Sequence, residues 1–242
     1  MKIMNIIYKN FSLRRGLLFI LALAFSTEAY LQNNKCLENI FPSDGKILDK
    51  NQVVYNPSNE FVLETNVNTI LKCIRHKDIN RPYTNYFNRF VSKDGDFVVY
   101  IHVPPIYCRS DSFYIDSGLL NDKLHVPINT YHLTYIKNDF QENVGTDTAT
   151  ADEMKVQYLP VRYARKAFNA DTVLTYSLKM WEKHEDRYNR CRVIMLHKKS
   201  RGCIFLYCLY NNKSDMGIMN YITKLEKIFW YREPENFIQL IP

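Results

Sequence analysis

The sequence predicts an α+β fold: a mostly antiparallel sheet whose C-terminal hairpin is covered on both faces, flanked by helices at about 59–77 and 216–232 in a sandwich-like arrangement. Three observations predict it. Two apolar stretches, Val193-Ile194-Met195-Leu196 and Ile204 to Leu209, are continuous rather than alternating. Side chains of a strand alternate between faces, so a continuous run needs cover on both. Two segments, 59–77 and 216–232, instead repeat apolar residues at helical spacing. Finally, Asp94-Gly95 lies between aromatic and β-branched runs, a hairpin signal.

Along the chain, residues 1–29 read as a cleavable leader. Lys2, Lys9, Arg14 and Arg15 precede the uncharged run Gly16 to Phe25, and Ser26-Thr27-Glu28-Ala29 supplies a small-residue cut after Ala29. The run is shorter than the roughly 20 residues a helix needs to span a bilayer. The chain is therefore expected to be exported, to the periplasm or the cell exterior, with no stable membrane span once the leader is cut. Cys36 follows Asn33-Asn34-Lys35, which is no lipidation box.

Residues 30–57 read as an irregular N-terminal arm, and 58–242 as a single α+β domain. Leu63, Val67, Ile70, Leu71 and Ile74 share one face of a helix over 59–77, with Ser58 as cap. Glu60 and Glu64 at its start and Lys72, Arg75, His76 and Lys77 at its end suit the helix dipole. Strands follow at 86–92 and 96–103, ended by Pro104-Pro105, then at 112–115 and 131–137. Small polar residues over 143–152 read as a loop or an internal linker. Pro160 opens a short helix to Phe168, 172–179 is a strand, and 192–198 pairs with 203–210 across Lys199-Ser200-Arg201-Gly202. Ser214-Asp215 caps the last helix, with Ile218, Ile222, Leu225 and Phe229 as its stripe.

Composition excludes several chemistries. The net charge of +7 falls to about +4 without the leader's four bases and one acid, and no basic stripe marks a nucleic-acid binder. The chain has seven glycines, no two closer than 15 positions. A phosphate-binding loop, a dinucleotide fingerprint and a nucleophile elbow all need closer pairs, so that backbone can approach the ligand without a Cβ clash. No cofactor is expected. No metal is expected either: C-x-x-C is absent, and His184-Glu185-Asp186-Arg187-Tyr188 breaks the zinc motif at its last position. No catalytic set is assigned, although His102, His125 and His132 are scattered candidates for a site recognised by geometry alone.

Export makes disulfides available to the six cysteines. Cys36, Cys73 and Cys108, near loops or element ends, are the expected bonding set. Cys203 and Cys208 sit an odd number of residues apart on one strand and so point to opposite faces.

The remaining signal is one of contact. With 18 Tyr, 14 Phe and 2 Trp, the chain is rich in residues favoured at interfaces. Trp181 to Arg192 is a charged, aromatic connection between buried strands, and loops on rigid scaffolds often carry function. Trp181, His184, Arg187, Tyr188 and Arg190 are the expected binding residues. The sequence thus reads as an exported binding or interaction protein whose partner is another protein or an envelope component. The alternatives are a small extracytoplasmic hydrolase without a motif, or a structural part of an envelope assembly.

Overall fold

Seven antiparallel strands form the central sheet of the computed structural model, in the spatial order 61–70, 85–92, 97–102, 202–210, 190–198, 172–178 and 157–158. It describes residues 37, 40–42, 44–79, 84–104, 107–109, 112–115, 124–125, 129–145, 156–211 and 218–233. The expected leader at 1–29, Cys36 and most of the 143–152 segment lie outside the described residues, as do the side chains of Cys108 and His125.

The described elements run α1 (Gly45–Lys50), β1 (Val53–Tyr55), β2 (Phe61–Ile70), a 3-10 turn (Lys72–Ile74), β3 (Asn85–Ser92) and β4 (Phe97–His102). A three-stranded sheet follows, of β5 (Tyr107–Arg109), β6 (Ser112–Ile115) and β7 (Leu124–His125), leading to α2 (Tyr131–Val144). The second half runs β8 (Gln157–Tyr158), α3 (Val161–Phe168), β9 (Thr172–Leu178), β10 (Arg190–Lys198), β11 (Gly202–Tyr210), α4 (Ile218–Lys224) and β12 (Phe229–Tyr231). The α+β architecture is the expected one.

Every residue of β11 is buried, as its unbroken apolar sequence requires. Ile204, Leu206, Cys208 and Tyr210 enter the core on one face; Cys203, Phe205, Tyr207 and Leu209 enter that on the other. Cys203 and Cys208 are indeed on opposite faces. The first face is covered by α1, α3, α4 and the β1–β12 ribbon, through Leu48, Tyr55, Phe168, Ile222 and Phe229. The second is covered by Ile136 and Phe140 of α2, by Leu71, Cys73 and Ile74, and by Tyr188.

Several sequence expectations need correction. The 59–77 segment is no helix: Phe61–Ile70 is an edge strand paired with β3. Its apolar residues also fit a two-residue period (Phe61, Leu63, Val67), and Val62, Thr65, Val67, Thr69 and Ile70 are β-branched, which favours strand. Asn66 and Asn68 adopt left-handed backbone where the register slips between Thr65 and Thr69. That irregularity blunts the sheet edge against pairing with another chain.

The 131–137 segment is helical, as the first half of α2. His132, Ile136, Phe140 and Asn143 turn inward at helical spacing. The final helix stops at Lys224; Lys227 takes a left-handed conformation, and Phe229–Tyr231 pairs with Val53–Tyr55. This ribbon also corrects the irregular reading of 30–57, part of which is α1 and β1. Its value is the ring of Phe229, which packs 6.1 Å from Phe41, 6.0 Å from Tyr55 and 5.9 Å from Phe90.

Cys73, Cys191, Cys203 and Cys208 are all buried, and no disulfide joins them. Cys73, expected among the bonded cysteines, is instead a core thiol; burial pushes its pKa up to about 12, so it stays protonated and unreactive.

Candidate functional site

The connection from Trp181 to Arg190 is built onto the second face of the sheet, and its residues divide between two places. Trp181 belongs to the first. Asn143, buried at the end of α2, organises it. Its Nδ2 donates to the Ile74 carbonyl at 2.6 Å and the Lys179 carbonyl at 2.8 Å, while Oδ1 accepts from the Lys179 amide at 3.0 Å. The Asn143 carbonyl accepts from Trp181 Nε1 at 2.8 Å, and the Trp181 amide donates to the Cys73 carbonyl at 2.7 Å. One amide thus staples the helix end, the 72–74 turn and the start of the connection.

The indole so fixed is 41% exposed. Lys179 Nζ sits 3.4 Å from its ring centroid, a cation–π contact, and the His76 ring meets it edge-on at 4.7 Å. Gly145 closes α2 with φ of +80°, and a Cβ there would come within 2.6 Å of His76 Nδ1. Glycine is therefore required for both the turn and the histidine's position. Lys72, Arg75, His76, Lys77, Trp181 and Glu182 line an open cleft of about 450 Å³. The cleft carries three fixed cations against one acid and has an aromatic wall.

His184, Glu185, Arg187 and Tyr188 form the second place. His184 and Tyr188 bridge as a small antiparallel pair, with Glu185 and Asp186 left-handed between them. Arg89 of β3 draws this turn onto the sheet. Its Nε donates to Glu64 at 2.7 Å and its Nη1 to the Tyr100 hydroxyl at 2.8 Å, and it also pairs with Glu185. The Tyr100 hydroxyl, accepting from Arg89, has its proton left for His184 Nε2 at 2.8 Å. Burial opposes charge on Arg89, but the bonds from Glu185 and Glu64 outweigh it and hold the guanidinium ionised. Burial keeps His184 below the ordinary histidine range.

This knot is a joint, with little left over for a ligand. Tyr188 corrects the sequence reading most directly: it is fully buried, with its hydroxyl donating to the Gly95 carbonyl at 2.8 Å. Arg187 is half exposed and lies 4.6 Å over the Tyr188 ring. Arg190 opens β10 opposite Tyr210, with an exposed side chain, away from Trp181's cleft. Of the five expected residues, only Trp181 lines the cleft. The sequence reading missed Asn143 and Lys179, and it used Lys72, His76 and Lys77 only as helix-end charges. Their convergence depends on a helix and a turn brought together from distant parts of the chain.

Among the described residues no group of three or more His, Cys, Asp or Glu could hold a metal ion, and no helix is long and apolar enough to cross a membrane. Comparison with known proteins returns no matching family model, no matching curated protein and no matching solved structure.

Proposed function

We propose that this chain is an exported binding protein that engages an acidic segment of another protein or envelope component through the cleft at Trp181. The observation that carries this reading is the convergence of Lys72, Arg75 and Lys77 on an indole held at both its backbone and ring nitrogens. Rigid aromatic anchors ringed by charge are the usual centres of contact surfaces, because little entropy is lost when they bind. The basic leader supports export.

A hydrolytic reading has less to stand on. The His102 ring meets Tyr86 at 6.1 Å, Tyr135 at 5.9 Å and Phe205 at 6.3 Å, and no hydrogen bond joins it to an acid among the described residues.

A decaglutamate peptide is a suitable probe. Binding to the whole chain, followed by fluorescence of the two tryptophans, should be saturable in about 50 mM salt and weaken several-fold at higher salt, as screened charge requires. Trp181→Ala and the double change Lys72→Glu with Lys77→Glu should each weaken it about tenfold, the scale of a contact hot spot. Arg187→Ala, which leaves the cleft untouched, should change nothing. Equal binding of a decalysine peptide, or indifference to Trp181→Ala, would overturn the reading.

A further inference from the structure

Behind the 72–74 turn lies a second, smaller cavity, of about 110 Å³, between α2 and the sheet. A cavity of about 150 Å³ accepts benzene, so this one suits a ligand of a few heavy atoms. Its chemistry is unlike that of the cleft. Asp139 of α2 lines it and accepts from the Tyr176 hydroxyl at 2.5 Å and the Tyr207 hydroxyl at 2.9 Å. Among the described residues no cation pairs with Asp139, and the charged neighbour that acts on it is Glu142, of the same sign. Burial pushes its carboxyl up to about 7.

Four rings close around the space. Tyr86 stands edge-on to Tyr207 at 5.2 Å and to His102 at 6.1 Å, and His102 lies 5.9 Å from Tyr135. All four line the cavity, with Ile70, Leu71 and Leu178 as an apolar side. Glu142 and Arg75 complete the charged part of the lining.

We propose that this cavity is a binding site for a small primary ammonium, gripped by the Asp139 carboxylate and caged by Tyr86, His102, Tyr135 and Tyr207. An ammonium has three donors and no acceptor. The Asp139 oxygens and the phenolic oxygens of Tyr207 and Tyr86 are acceptors that the cavity's lining residues offer. Aromatic faces add cation–π attraction, and a short carbon stem fits the apolar side. The bound cation supplies the opposite charge that Asp139 lacks.

The proton balance follows from the surrounding groups. Around Asp139 stand Tyr86 on β3, His102 on β4, Tyr176 on β9, Cys191 on β10, Tyr207 on β11, Glu142 on its own helix and Arg75 just after the 72–74 turn. Burial raises the tyrosines and Cys191 well above their usual values and lowers His102 to about 4, so all of these are neutral between pH 6 and 8. Asp139 ionises in that window, and the ammonium binds its ionised form.

Ethanolammonium chloride titrated into the whole chain at pH 8, followed by NMR shifts, tests this, with ethylene glycol as the uncharged probe of similar size. Saturable ammonium binding is expected, at least tenfold tighter than that of the glycol. It should weaken about tenfold at pH 6, where roughly nine in ten carboxyls of pKa near 7 are protonated. Asp139→Asn should give a similar loss at pH 8, while Arg187→Ala, which lines neither space, should leave amine binding unchanged. Glycol binding as tight as the ammonium, pH-independent ammonium binding, or no saturation by either probe would overturn the proposal. The pH and glycol arms use the unaltered chain and decide the matter even if Asp139→Asn fails to fold.

Discussion

The two faces of the central sheet are both buried, yet they are built from different materials. The face under α1, α3, α4 and the β1–β12 ribbon holds six buried phenylalanines and three tyrosines among its described residues. The face under α2 holds two phenylalanines and five tyrosines. A phenyl ring asks only for contact, whereas a buried hydroxyl needs a hydrogen-bond partner. Four of these five tyrosines recruit polar company: Tyr176 and Tyr207 take Asp139, Tyr100 takes Arg89 and His184, and Tyr188 takes the Gly95 carbonyl. The cleft and the cavity both lie on that side. Both proposed sites thus share the hydroxyl-rich face.

The largest test of this contrast is Phe229→Ala. The ring is buried against three aromatic neighbours, and the change should cost about 3–5 kcal/mol in urea unfolding, the scale of a large core truncation. Peptide and amine binding should survive wherever the chain remains folded.

Asp139 gives the next effect. Its folded pKa is raised from 3.8 to about 7, so the protonated carboxyl is favoured by folding. Its contribution is fully present below about pH 4 and is lost as pH rises towards 7, at no more than about 1.4 kcal/mol per pH unit. Unfolding of the unaltered chain and Asp139→Asn, compared at pH 5, 6 and 7, should show the Asn variant gaining on the parent as pH rises. A constant difference would mean that the carboxyl does not titrate in this range.

The smallest effect belongs to Arg187→Ala. The residue is half exposed, and its 3.4 Å contact with Glu185 is a surface pair, so thermal unfolding should register less than about 0.5 kcal/mol. A larger loss would place Arg187 inside the Arg89 joint.

That both faces are covered is plainer in the sequence than what covers them. Unbroken apolar runs at 193–196 and 204–209 showed the doubly covered hairpin, and Asp94-Gly95 marked the turn before β4. Where two periods fit one stretch, as at 61–70 and 131–137, local spacing favours the wrong one, because tertiary pairing settles what it leaves ambiguous. Trp181 was legible as a lone indole in a charged connection. Asn143 was not, since nothing local distinguishes an asparagine at a helix end from one in a linker. Tyr188 looked like contact surface because the sequence does not show that the turn at Glu185 folds its ring inward.

The strand order also has a kinetic consequence. β2-β3-β4 and β8-β9-β10-β11 are each chains of neighbours in which every strand pairs with the next in sequence. The β4–β11 pairing alone joins them within the large sheet, setting Phe97 beside Tyr210. Each half can zip up through short loops, but that one seam must close a loop of about a hundred residues before its contacts repay the lost chain entropy. The seam runs beside the strand carrying Tyr207, so the hydroxyl beneath the amine cavity is among the last groups to find its place as the chain folds.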